Sequence, residues 1–253
     1  MIQTLSRREL LKFASAGLAT TAAAGCAFSP AWRSGPTEYS RPLSARPFAR
    51  PQVAADQIVR TCVGLRPFRP GGFVVRGERL GEKTVIHNYG HGGGGITLSW
   101  GSSLLAVREL PDLADRRAAV LGCGVMGLST ARLLQARGWQ VTIYARELPP
   151  HTTSDVAGGQ WAPTSVFRSG AESVAFSTQL DEALRLSHAT FAALAGREYG
   201  VSLRENYFLS QTPTRAQDFF YLDRWPELFP AIAELSADAH PFPVPYALRH
   251  LSF

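Results

Sequence analysis

Gly122, Gly124 and Gly127 stand between a short apolar run and a helical pattern, a spacing suited to holding a pyrophosphate. Ala118 to Leu121 reads as a buried strand, Leu128 to Arg137 as a helix with Leu128, Ala131 and Leu134 on one side, and Gln140 to Tyr144 as a second strand. In that context each glycine has a physical reason: Gly122 permits a tight turn, Gly124 lets the backbone approach phosphate, and Gly127 lets helix and strand pack closely. The helix start, with Val125 and Met126 between the glycines, offers unpaired amides and a partial positive charge. An acid at the end of the second strand would take ribose hydroxyls. Glu147 lies at a suitable distance, and Arg146 directly before it leaves the register open by one residue. These residues alone do not separate FAD from a nicotinamide dinucleotide.

Two further stretches carry chemistry. Thr152-Thr153-Ser154 places hydroxyl groups in succession, as a loop that caps phosphates would, and Gly158-Gly159 before Gln160 suits backbone lying against a flat ring. An ordinary polar turn is the competing reading. Upstream, Val85 to Tyr89 reads as a strand that runs into the cluster Gly90-His91-Gly92-Gly93-Gly94-Gly95 and on to a helix, aiming amides at developing negative charge. His87 and His91 are four apart, but the glycine-dense loop and the lack of a nearby third ligand argue against a metal. Arg66 and Arg69 sit in the proline frame Arg66-Pro67-Phe68-Arg69-Pro70, where a fixed guanidinium can clamp a carboxylate.

The surrounding chain gives the organisation. A net charge of +6 arises mostly from scattered arginines, which argues against a nucleic-acid partner. The N-terminus, with Arg7-Arg8 before an apolar stretch and an Ala-rich exit, resembles a twin-arginine export signal over residues 1–26, and this places the protein in the periplasm or cell envelope. Cys26 after Ala23-Ala24-Gly25 is a candidate lipid anchor, with plain cleavage as the alternative. Arg7, Arg8, Lys12 and Glu9 fall in that segment, so the charge without it is +4. Residues 27–57, rich in Pro and Arg, read as an extended tether. Cys62 and Cys123 belong to no metal-ligand spacing.

Taken together, the fingerprint Val120 to Ser129, the loop Thr152 to Trp161 and the block Arg60 to Gly101, with RPFRP and HNYGHGG, resemble the FAD-dependent D-amino-acid oxidase family, which includes D-aspartate oxidases. The resemblance implies an α/β fold: a Rossmann-like FAD-binding domain at 58–178, made of a permuted block 58–101 and a Rossmann unit 117–165, then the start of an α+β substrate domain at 179–253. The order is circularly permuted relative to the family, and both the flavin and substrate domains are expected to be incomplete. In this reading FAD is held by Gly122, Gly124, Val125, Met126 and Gly127 at the pyrophosphate and Arg146 or Glu147 near the ribose. Thr152, Thr153 and Ser154 face the phosphates, Gly159 and Gln160 the isoalloxazine, and Gly92, Gly93 and Thr97 the pyrimidine side. Arg66 holds the substrate carboxylate. The implied reaction is oxidative deamination of a D-amino acid by oxygen, giving a 2-oxo acid, ammonia and hydrogen peroxide, with the activity of this chain by itself left open. A non-catalytic flavin-binding protein of the cell envelope is the alternative, followed by a nicotinamide-dependent dehydrogenase. Gly94 stands where the family commonly has tyrosine.

Overall fold

The computed structural model describes residues 52–253; the stretch read as an export signal, Cys26 and most of the stretch read as a tether lie outside the described residues. Strands β1 (Val74–Leu80) and β2 (Lys83–Tyr89) form an antiparallel hairpin, from Val74 opposite Tyr89 to Leu80 opposite Lys83. A 3-10 turn at Gly92–Gly94 then opens helix α1 (Gly95–Arg108). After a connection come β3 (Arg117–Leu121), α2 (Val125–Ala136) and β4 (Gln140–Tyr144), and farther on the long helix α3 (Val174–Leu194). β3 and β4 are parallel neighbours, with Arg117 opposite Gln140 and Leu121 opposite Tyr144, so β3, α2 and β4 make the strand–helix–strand unit that the glycine spacing requires. Ala118, Val120, Val141 and Ile143 are half-buried, while the alternating Leu121 and Tyr144 are 83% and 60% exposed. Beyond the last turn of α2, the Arg116 guanidinium donates to the Arg137 carbonyl at 3.3 Å, where a helix end leaves its acceptors unpaired.

α1 has two glycines and three serines and is a weak helix by propensity. Tertiary packing holds it instead. It packs against both α2 and α3, with Leu98, Leu105 and Ala106 buried. Its small residues allow close approach: a Cβ on Gly101 would lie 1.8 Å from the Ala183 carbonyl oxygen of α3. On the α2 side the contact is made of hydroxyls. Ser103 Oγ and Ser129 Oγ are 2.8 Å apart, Thr130 donates to Ser103 at 2.9 Å, and the Asn88 amide of β2 donates to Ser103 at 3.2 Å. Ser129 also donates to the Val125 carbonyl at 2.7 Å.

These elements, Val63–Tyr199, form one compact unit, and Gly200–Phe253 belong to a second together with residues 52–62. The division falls after Tyr199, so α3, which the family resemblance put at the opening of a second domain, belongs to the first unit, with Leu180, Ala183 and Leu184 buried in it. The second unit contains β5 (Arg204–Ser210), α4 (Phe220–Arg224), β6 (Ala233–Ser236) and β7 (Tyr246–Ser252). β7 is the central strand of an antiparallel sheet, between β5 and β6. Its Leu248 and His250 are fully buried, as are Trp225 and Phe229.

His91, at the hinge between β2 and α1, is 1% exposed, stacks on Phe73 at 4.7 Å and shares a 2.9 Å hydrogen bond with Ser102. Burial pushes its pKa down from 6.5 to about 3. The folded protein therefore keeps this imidazole neutral over a range where the unfolded chain takes a proton, and stability is lost as pH falls from about 6.5 towards 3, by at most about 5 kcal/mol from this group. In thermal melts across that range, His91→Gln is expected to show a flatter acid limb than the parent; parallel limbs would remove His91 from the explanation.

Candidate cofactor and substrate site

Seven of the residues singled out for dinucleotide binding line one hollow of about 320 Å³: Gly122, Gly124, Arg146, Glu147, Thr152, Thr153 and Ser154. β3 delivers Gly122, whose φ of 111° needs glycine, and β4 delivers Arg146 and Glu147 just beyond Tyr144. Arg146 and Glu147 both line the hollow and pair with each other at 3.2 Å. Gly127 serves packing: a Cβ there would meet the Gly122 carbonyl oxygen at 2.1 Å. Val125, Met126 and Gly127 form the first turn of α2, where amides lack a partner inside the helix. The Val125 amide is not idle, since it donates to Ser154 Oγ at 2.9 Å.

A second cluster gathers around Gly92–Gly94. The Gly92 amide donates to the Pro67 carbonyl at 3.2 Å and the Gly93 amide to the Ser165 carbonyl at 3.0 Å. A Cβ on Gly93 would lie 2.6 Å from the Thr164 carbonyl oxygen and 3.5 Å from an Arg66 guanidinium nitrogen. Arg66 is exposed and its guanidinium is 3.5 Å from Ser165 Oγ. The arginine from the proline frame thus stands beside the glycine turn. Arg69 lies over the Tyr89 ring at 5.5 Å.

Thr97, expected beside the flavin ring, is 1% exposed and its hydroxyl is committed elsewhere: it donates to the Ala162 carbonyl at 2.9 Å and accepts from the Ala162 amide at 3.0 Å. Its place in the structure is as a tie between α1 and the loop after Trp161. Gly159 and Gln160 lie in an exposed stretch just before that tie. Gly94 is buried, and a side chain there would collide with Val166, 2.6 Å from the added Cβ, so Val166 fills the space that a larger residue would need. His87 and His91 do not share a ligand: His87 is 3.1 Å from Glu78, while His91 is bonded to Ser102.

Sequence reasoning passed over four contributors. Cys123 and Ala145 line the hollow through their place in the turn and at the end of β4. Asp155 closes a capping arrangement on Thr152, and the hydroxyl residue followed three positions later by an acid was a legible signal for it. Ser165 has a φ of 54°, unusual for a residue with a side chain, and nothing in the local sequence announces it.

Comparisons with known proteins identify the family. A model of the DAO family, FAD dependent oxidoreductase, matches residues 21–108 and 117–243. The chain is 37% identical over 86 residues to the D-amino-acid oxidase of Streptomyces coelicolor, covering 33% of this chain and 27% of that protein. It is 41% identical over 85 residues to human D-aspartate oxidase, covering 30% and 24%. It is 55% identical over 47 residues to the D-amino-acid oxidase of Rubrobacter xylanophilus, covering 19% and 14%. The matched stretches span between about a seventh and about a quarter of the length of these relatives. No solved structure matches the chain. With the family model running over most of its length, this chain belongs to the DAO family of FAD-dependent oxidoreductases.

Proposed function

We propose that this oxidoreductase deaminates D-amino acids oxidatively, with the hollow at Gly122–Gly124 taking the FAD pyrophosphate and Arg66 taking the substrate carboxylate. The observation that carries the reading is the placement of Arg66 beside Gly93 and Ser165, on an exposed face of the glycine turn. The similarity to a D-amino-acid oxidase and a D-aspartate oxidase supports it.

The residues present fit FAD. The open turn at Gly122, the helix-start amides beyond Val125, whose own amide is held by Ser154, and the hydroxyls of Thr153 and Ser154 supply donors to a diphosphate, and Glu147 supplies an acceptor for ribose hydroxyls. FAD, when bound, would supply a two-electron acceptor for the α-hydrogen, with oxygen as the final acceptor. The protein's own part is positioning. The Arg66 guanidinium binds the carboxylate with paired, charge-assisted hydrogen bonds and so orients the α-carbon. The Gly92–Gly94 turn presents backbone on the same side, held by the Pro67 and Ser165 carbonyls. In overall balance, a D-amino acid, oxygen and water give a 2-oxo acid, ammonia and hydrogen peroxide. We also propose that residues 1–26 export the protein by the twin-arginine route.

Three outcomes test this reading. Gly124→Val should abolish flavin retention, because a side chain there enters the hollow where Ser154 Oγ is already 3.1 Å from an added Cβ; unchanged flavin absorbance after gel filtration would contradict it. Arg66→Ala should keep its flavin and raise the KM for a D-amino acid roughly 10- to 100-fold, the loss expected for a charged hydrogen-bonded pair. Unchanged kinetics would take the carboxylate away from Arg66, and a flavin-loaded parent that forms no peroxide with any D-amino acid would favour binding without turnover. Finally, changing Arg7 and Arg8 to lysine should leave the protein in the cytoplasm by cell fractionation.

A further inference from the structure

The turn at Thr153–Val156 is organised by one carboxylate oxygen. Asp155 Oδ2 accepts the Thr152 amide at 2.8 Å and the Thr152 hydroxyl at 2.7 Å. In return the Asp155 amide donates to the Thr152 carbonyl at 3.1 Å. The Thr152 hydroxyl bond, then the Thr152 amide, hold this carboxyl below the usual aspartate range, so it is ionised at neutral pH. A threonine hydroxyl has a single proton. With that proton given to Asp155, Thr152 can offer a phosphate only lone pairs, and a phosphate oxygen needs donors. Ser154 is in the opposite position: its Oγ accepts from Val125, which leaves its proton available for donation.

We propose that Asp155 is a positioning residue for cofactor binding: it ties up Thr152 to set the turn, and the hydroxyl donors to the diphosphate are Thr153 and Ser154. This rests on the reading of the hollow as the FAD pyrophosphate site. A carboxylate near a diphosphate is an electrostatic cost, and the shaping of the turn that aims Ser154 at the start of α2 offsets it. The assignment also divides three successive hydroxyl residues, alike in sequence, into one structural member and two binding members.

The test is a double-mutant cycle on FAD affinity, measured by quenching of flavin fluorescence on titrating the full-length apoprotein, with apoprotein melting as a check on folding. Asp155→Ala and Thr152→Val should each weaken FAD binding, by about tenfold for the aspartate change, and the double variant should be no weaker than Asp155→Ala. Asp155→Asn, which keeps an acceptor oxygen, should restore most of the affinity. Ser154→Ala should lower affinity further when added to Asp155→Ala. Multiplying losses for Thr152 and Asp155, or parent-like affinity in Asp155→Ala, would overturn the assignment. If Asp155→Ala does not fold, Asp155→Asn binding as weakly as Thr152→Val would overturn it equally. Gly124→Val run alongside separates the two readings: FAD retained there removes the pyrophosphate site itself, whereas the cycle addresses Asp155 alone.

Discussion

The close packing of α1 against α2 and α3 is the constraint on which the rest of the first unit depends. α1 begins where the Gly92–Gly94 turn ends, and α2 begins where the fingerprint turn ends. The distance between those two turns is therefore set by how near the helices come. Gly101 against Ala183 and the hydroxyl contacts of Ser103 with Ser129 and Thr130 make that approach small. A buried hydroxyl costs free energy unless it is paired, and here the serines pair with one another and with Asn88. Apolar side chains of ordinary size would satisfy the burial and push the two turns apart.

A single stretch then joins the two turns from outside. Ser154 holds the first amide of α2, Ala162 is bonded twice to Thr97 of α1, and Ser165 holds the amide of Gly93. These contacts come in chain order, within a dozen residues or so, and they touch the hollow first and the glycine turn last. Local changes in this loop should therefore be felt both at the hollow and at the glycine turn, and a site that works by positioning is sensitive to small displacements. The left-handed backbone at Ser165 is the point at which the loop turns back onto the turn it supports.

What could be read from the residues divides along physical lines. The unit β3–α2–β4 was legible because glycine spacing, apolar runs and a closing Gly138 are short-range signals, and the observed Gln140–Tyr144 strand coincides with the reading. The burial of α1 was not legible as a core pattern, since serines at Ser102 and Ser103 are fully buried and only their partners on another helix explain this. Arg66 could be recognised as a possible carboxylate clamp, but its closeness to Gly93 depends on a turn that returns to Pro67. Thr97 reads equally well as a binding hydroxyl or a structural one, and Ala162, 65 positions away, decides for the structural tie. Asp155 carried a visible signal in its spacing from Thr152 that the phosphate reading of the neighbouring hydroxyls concealed.

The Arg116 guanidinium on the Arg137 carbonyl has a consequence for how this fold tolerates change. Residues 109–116 lie between the two blocks matched by the family model, and they connect α1 to β3. Their far end is held twice at Arg116, by that guanidinium to the finish of α2 and by its carbonyl, which accepts the Gln140 amide at 2.8 Å, so β3 enters its sheet from an anchored point. Slack introduced before Arg116 would be absorbed ahead of the anchor, at an entropic cost of only about 0.6 kcal/mol for each doubling of loop length. Length changes in the join between the two blocks should therefore leave the position of Gly122 largely unchanged.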